Sequence, residues 1–347
     1  MKKSIVALAV LGSFAGVAAA QSSVTLFGVI DAAMRYTETN GKSVYSLASG
    51  GNTTSRFGVR GVEDLGGDLK AGFWLESEVN TDTGVAGSSN NTGAFWARRA
   101  TVSLISGSMG EARLGRFKTV NKILVEDFDP VSATGLGSVY NMYSTLGATG
   151  LNTSRTDNQA SYSLPANLGG FYGGVEVSAG EGSNELNKSV GGRGGYKAGA
   201  FNVAIAYTEF GTNNKFKFMN VGGSYDFGMA KISGTYSTNE YRTREQDIFT
   251  VAVTAPVGAG NVWASYTDAS YDNSSKTDTF VSGDSMQFAI GYVHNLSKRT
   301  ALYTTASYID NEKGASFGVN GSGAAANPAV VSGGRSGGLD VGVRHSF

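Results

Sequence analysis

Four arginines and three carboxylates have the residue types and spacing through which this chain can act on a solute. Arg56 and Arg60 stand four apart in SRFGVRG, and alternate residues of an extended chain share a face. Arg99 and Arg155 fall on the matching parity of two further extended runs. A guanidinium stays protonated even among like charges, so such a cluster presents fixed positive charge. Glu126, Asp127 and Asp129 lie in a long connection that can face the arginines. Two unit charges ~4 Å apart interact by about 4 kcal/mol at an effective dielectric near 20. Rings of arginine or lysine favour anions, so this chemistry acts on ions in transit and breaks no bond. The plainer reading is that each arginine pairs with a loop carboxylate or carbonyl and pins that loop. Asp31, Lys70, Glu76, Glu78 and Asp157 share the arginine parity and read as balancing charge.

Catalytic spacing is absent. His294 and His345 sit near the ends of extended runs, on the opposite parity, with no Gly-x-Ser-x-Gly elbow around either. Two separated histidines and no cysteine make neither a metal site nor a thiol centre. Arg193-Gly194-Gly195 lies among glycines, but no helix follows a strand there, so no nucleotide loop or other cofactor site is expected. Trp74, Trp96 and Trp263 read as packing or interfacial residues.

These residues need a frame, and the first twenty residues are not part of it. MKKSIVALAVLGSFAGVAAA has a basic start at Lys2 and Lys3, an apolar run and a small-residue end at Ala18-Ala19-Ala20. That is the layout of a cleaved export signal over 1–20, leaving 21–347 as the folded chain. Without Lys2 and Lys3, 26 basic residues stand against 28 acidic ones, a formal charge of −2. A nucleic-acid binder would show a basic excess. No later apolar stretch approaches the roughly 18–20 residues of a membrane helix.

The frame is read from alternation. In 53–80, Arg56, Gly58 and Arg60 oppose Phe57 and Val59; past the turn at 64–68, Leu69, Ala71, Phe73 and Leu75 oppose Lys70, Trp74, Glu76 and Glu78. The same period of two recurs to the last residue and predicts sixteen strands, although fourteen or eighteen fit the same pattern. One face carries almost no charge in mid-strand, as with Phe201, Val203, Ile205 and Tyr207, or Met286, Phe288, Ile290 and Tyr292. The other carries small or polar residues such as Asn202, Ala204, Thr208, Gln287 and Gly291. Apolar out and polar in is the inverse of a soluble sandwich and predicts a water-filled transmembrane barrel.

Connections support that reading. The turns at 64–68, 107–110, 165–170, 256–260 and 296–298 are short, whereas 37–52, 81–93, 118–154, 272–284 and 311–336 are long and polar. Outer-membrane barrels sort short turns and long loops to opposite ends. Pro130, Pro165, Pro256 and Pro328 all fall in predicted loops or turns, where no ladder hydrogen bond is lost. The last run, ending at Phe347, must pair with 24–36 to close the sheet.

The segments VTLFGVID (24–31), SRFGVRGVEDLGGDLKAGFWLE (55–76), ARRATVSL (97–104) and LGRF (114–117) resemble the general porins of Gram-negative outer membranes. So do YSLPANLGGFYGG (162–174), LSKRTALY (296–303) and the terminal VGVRHSF (341–347). These pieces run in order across the chain and match the trimeric, sixteen-stranded branch of β-proteobacteria and Neisseria. The resemblance implies an all-β, 16-stranded antiparallel barrel, a homotrimer, and passive diffusion of ions and small hydrophilic solutes. It also implies an inward-folded constriction loop, here 118–154. Where the family often carries a Pro-Glu-Phe-Gly-Gly-like stretch, this chain has Val125-Glu126-Asp127-Phe128-Asp129-Pro130. The terminal Phe347 resembles a barrel-assembly signal.

The expected protein is therefore an outer-membrane general diffusion porin without cofactor, weakly anion-selective, in contact with outer-membrane lipids. The expected constriction set is Arg56, Arg60, Arg99, Arg155, Glu126, Asp127 and Asp129. A substrate-specific channel of the same fold would show saturable conduction. A barrel adhesin would keep its function with the lumen blocked.

Overall fold

The computed structural model describes residues 23–87, 94–181, 185–275, 282–319 and 329–347. The expected export signal and Pro328 lie outside the described residues. The chain opens with β1 (Ser23–Thr39), β2 (Lys42–Ser49), β3 (Arg56–Gly66), β4 (Leu69–Glu78), β5 (Arg99–Ser106) and β6 (Gly110–Lys118). Beyond a long loop come β7 (Arg155–Ser163), β8 (Phe171–Ser178), β9 (Ser189–Ala198), β10 (Phe201–Phe210), β11 (Phe216–Asp226) and β12 (Lys231–Tyr241). The last five are β13 (Arg244–Val257), β14 (Gly260–Asn273), β15 (Gly283–Asn295), β16 (Thr300–Asn311) and β17 (Arg335–Ser346).

These segments form one closed antiparallel barrel of sixteen staves, as the alternation predicts. Sixteen staves hold seventeen segments because β2 and β3 share one edge of β1. β3 pairs with residues 23–29 and β2 with residues 32–39, while β17 takes the other edge from Val29–Ser346 to Thr39–Ser336. The polar connection expected over 37–52 is instead largely strand. Asn40 and Gly41 have φ of 51° and 75°, so the chain makes a tight hairpin turn and runs back as a strand.

Burial in the barrel is inverted relative to a soluble protein. Leu26, Met34, Ile205, Phe288 and Val341 are exposed on the outer surface, where lipid replaces water. Asp31, Thr37, Thr208, Asn220, Ser237 and Gln246 are buried on the inner face. The inner face is not uniformly small and polar, however. Phe210, Phe216, Phe218, Ile248 and Ile309 also point inward, and the long loop covers them.

Two connection details differ from expectation. At the end that carries the long loops, β12 and β13 are joined by only Arg242 and Thr243, and β10 and β11 by residues 211–215. Pro256 lies inside β13 rather than in a turn. It loses nothing there, because the pairing of β13 with β12 ends at Lys231–Thr254 and leaves the proline no partner on that side.

Candidate functional site

The loop between β6 and β7 enters the barrel, as the resemblance implies, and packs against its inner wall. It begins with α1 (Val120–Phe128), capped by Thr119, whose hydroxyl accepts from the Lys122 N–H and donates to the Thr153 carbonyl at 2.6 Å. The helix has an apolar face, and that face decides where it goes. Val120, Leu124 and Phe128 bury against Ala204 and Ala206 of β10. A Cβ on Gly222 of β11 would come 2.3 Å from the Phe128 ring, so only glycine admits that close approach. Asn121 ties the same face by hydrogen bonds, donating to the Phe218 carbonyl at 2.9 Å and to Asn220 Oδ1 at 2.6 Å while accepting from the Thr208 hydroxyl. Further on, Val139 and Met142 pack with Ile248, Ala269 and Ile309, and Leu146 packs with Phe210, Phe216 and Phe218. The loop is pinned along the wall of β10–β16.

The opposite wall is basic. A cavity of about 850 Å³ separates the two and is lined by Arg56, Arg98, Arg116, Lys118, Lys122, Arg155 and Arg344, with Glu78, Glu126 and Asp127 as its carboxylates. Seven cations therefore face three anions. Arg98 is held by Glu76 at 2.7 Å and approaches Glu78 at 3.6 Å. Arg116 pairs with Asp157 at 2.6 Å. Glu76, Glu78 and Asp157 thus balance wall charge, as expected of them. Arg155 Nε donates to the Arg98 carbonyl at 2.9 Å, and Arg344 donates to Asn52 Oδ1 and Thr53 Oγ1 at 2.9 and 3.1 Å. Arg56 comes only within 3.9 Å of Glu76. Among the described residues, neither Arg155 nor Arg344 has an ion-pair partner.

The seven residues expected at the constriction do not gather as one set. Arg56, Arg155, Glu126 and Asp127 line the cavity, while Arg60, Arg99 and Asp129 do not. Arg60 and Arg99 lie against aromatic rings nearer the turn-bearing end of the barrel. Asp129 is buried and closes its own loop, accepting from the N–H groups of Val131, Ala133 and Val139 at 3.1–3.2 Å. The other two carboxylates do not oppose the wall arginines as pictured. Glu126 pairs with Lys118, and with Lys122 at 3.7 Å, and Asp127 pairs with Arg193 of β9 at 3.0 Å. Asp31 forms no direct salt bridge among the described residues; it accepts from the backbone N–H of Asn52 and Thr53 and from the Tyr303 hydroxyl, drawing that segment inward within the field of Arg344.

Five cavity cations escaped the sequence reading. Arg98 precedes the ladder, because β5 starts at Arg99, so no strand parity fixes its direction. Arg116 follows Gly115, where the backbone leaves regular strand geometry and the register with β7 shifts by a residue carried on β7. Gly115 has φ of 125°, a signal that a glycine inside a strand already carries. Lys118 and Lys122 flank the acids on which that reading fixed, and Arg344 has plain inward parity in the terminal motif.

Burial lowers the Lys122 ammonium to about 8, against the opposing pull of Glu126. Burial also raises Asp129 to about 6, although three backbone N–H groups favour its ionised form.

A model of the Gram-negative porin family matches residues 7–314. Outer membrane porin protein 32 of Delftia acidovorans is 36% identical over 367 residues and covers 100% of both chains. The solved anion-selective porin from Comamonas acidovorans superposes with a TM-score of 0.83 at 34% identity, covering 94% of this chain and 100% of that one. The outer membrane protein OmpT of Vibrio cholerae, solved in a trimer form, shares the fold with a TM-score of 0.69 at 17% identity, over 94% of this chain and 99% of that one. Sixteen closed staves, an inverted burial pattern and a loop folded against the inner wall agree with these matches. The chain belongs to the Gram-negative porin family and is an outer-membrane β-barrel.

Proposed function

We propose that the chain is a passive, water-filled and weakly anion-selective diffusion channel, exported by its 1–20 segment and working as a homotrimer. No cofactor or covalent step enters. The observation that carries the reading is the excess of seven lining cations over three lining carboxylates in the cavity beside α1. Arg56, Arg155 and Arg344 hold charge without a close carboxylate, so a passing anion meets donors that are not already neutralised. The selectivity named for the Comamonas acidovorans relative and the trimer form named for the Vibrio cholerae protein support the two finer parts.

Purified protein in a planar bilayer tests this. Large ohmic steps in groups of three and an anion-side reversal potential across a potassium chloride gradient are expected. A cation-side potential would overturn the anion preference. A folded barrel that conducts nothing would turn the reading to an adhesin.

The same measurement has an expected pH course. Raising the pH through about 8 removes the Lys122 charge, and lowering it through about 6 neutralises Asp129. Both steps act in one direction, so anion preference falls steadily from about pH 5 to about pH 9. Lys122→Met should remove the upper step; a profile unchanged by that substitution would show that Lys122 does not titrate in the lumen.

A further inference from the structure

Below the constriction, toward the turn-bearing end, six inward side chains stack in a row across five neighbouring strands. Phe27 of β1, Arg60 of β3, Trp74 of β4, Arg99 of β5, and Phe117 and Arg113 of β6 alternate ring and guanidinium. The Arg60 guanidinium carbon lies 5.2 Å from the Phe27 ring centre and 4.9 Å from that of Trp74. Arg99 lies 4.4 Å from Trp74 and 4.6 Å from Phe117, and Arg113 lies 4.1 Å from Phe117. Room for the first ring comes from Gly58, where a Cβ would stand 2.5 Å from the tip of Phe27.

The two ends of the row differ. Arg113 is neutralised by Glu111, to which its Nε and a terminal nitrogen donate at 3.1 and 2.5 Å. Arg99 donates to the Thr101 hydroxyl at 2.9 Å and reaches Glu111 at 4.0 Å. Arg60 is exposed to the lumen and bonds to no carboxylate, carbonyl or hydroxyl among the described residues. Its partners among the described residues are the two rings.

A guanidinium held between rings is already ordered, and its planar fork of N–H donors matches a carboxylate through two parallel bonds. The rings of Phe27 and Trp74, whose centres are 5.0 Å apart, can also meet a planar ring at their edges. We propose that Arg60, Phe27 and Trp74 form a binding station for aromatic carboxylates, separate from the constriction. Four residues along β3 set it roughly 13 Å from Arg56, so a solute meets the two charges in succession. Small inorganic anions would feel the charge but gain nothing from the rings. The station rests on the anion-conducting reading of the lumen given above.

The test is block of the potassium chloride current in a planar bilayer by benzoate, added at the turn-bearing side. Cyclohexanecarboxylate has the same charge and a similar size without a planar ring. Benzoate should half-block at a concentration roughly fivefold lower, the size of aromatic ring contacts. Arg60→Gln should abolish the benzoate block. Arg60→Lys should retain a weak block but lose the fork, and Phe27→Leu or Trp74→Leu should bring the ratio of the two acids toward one. Equal block by both acids in the unaltered protein, or benzoate block that survives Arg60→Gln, would overturn the station. Reversal potential in potassium chloride alone tests the anion-preferring lumen, so the two readings can fail separately.

Discussion

Replacing Arg56, Arg155 and Arg344 together by serine should carry the reversal potential in a potassium chloride gradient from the anion side to near zero. Arg155 and Arg344 have no ion-pair partner among the described residues and Arg56 only reaches Glu76, which Arg98 holds at 2.7 Å, so their removal strips charge while that acid stays paired. Four lining cations would then face three carboxylates instead of seven facing three. At ~7 Å, one unit charge acts on a passing ion by about 2 kcal/mol at an effective dielectric near 20, and by about 0.6 kcal/mol in bulk water. Even the lower limit gives roughly 2 kcal/mol for three charges, with opposite sign for anion and cation. Salt screens this field, so the shift should be largest at low ionic strength and shrink toward 1 M salt. Reversal potential is the proper readout, because truncating arginine also widens the lumen and alters conductance. A triple variant with an unchanged potential would show that selectivity arises elsewhere in the barrel.

The second large effect concerns the loop. Leu124 and Phe128 are buried between α1 and the wall, at 0% and 2% exposure. Leu→Ala in such a site costs about 2–5 kcal/mol, and Phe→Ala about 3–5 kcal/mol. The double variant Leu124→Ala/Phe128→Ala should therefore release the helix without opening the barrel, whose ladder does not involve either residue. Single-channel current should become noisy with frequent sublevels, and protease should cut within 129–154 in the folded protein. Asn121 and Thr119 would still hold the start of the helix, which predicts sublevels rather than a fully open lumen. Quiet, protease-resistant channels from this variant would mean that Ile248, Phe218 and their loop partners suffice to fix the constriction.

The barrel was legible because two solvents impose the alternation. Lipid outside and water inside select opposite residue types at successive positions, so Phe201, Val203, Ile205 and Tyr207 separate from Asn202, Ala204 and Thr208 without any knowledge of pairing. β2 was missed because Ser43, Ser46 and Ser49 dilute that contrast, although Asn40-Gly41 is a strong hairpin signal. The site was less legible, since parity holds only while the ladder is regular. The ladder is irregular beside Arg116, where Gly115 has a positive φ and the register with β7 shifts, and Arg98 precedes the start of β5 at Arg99. Where Glu126 and Asp127 find their partners depends on the path of a 36-residue connection (119–154) that no periodicity describes. The arginine–aromatic row was present as inward residues on adjacent strands, but pairing them needed the register.

The seam between β1 and β17 bears on how the molecule can assemble. The Gly28 and Phe347 main chains exchange two hydrogen bonds at 3.1 Å, and Arg35 and Asp340, both wholly buried, make a bidentate pair at 2.7 and 2.5 Å. Partners more than 300 residues apart cannot meet until the last residue has emerged. The entropy of so long a closure grows only with the logarithm of chain length, so the finished cylinder is hardly penalised. Its kinetics are another matter, because contacts this distant in sequence form slowly. Until then the first and last staves are raw edges able to pair with another chain. The same few atoms that complete the wall therefore act as a latch against intermolecular strand exchange.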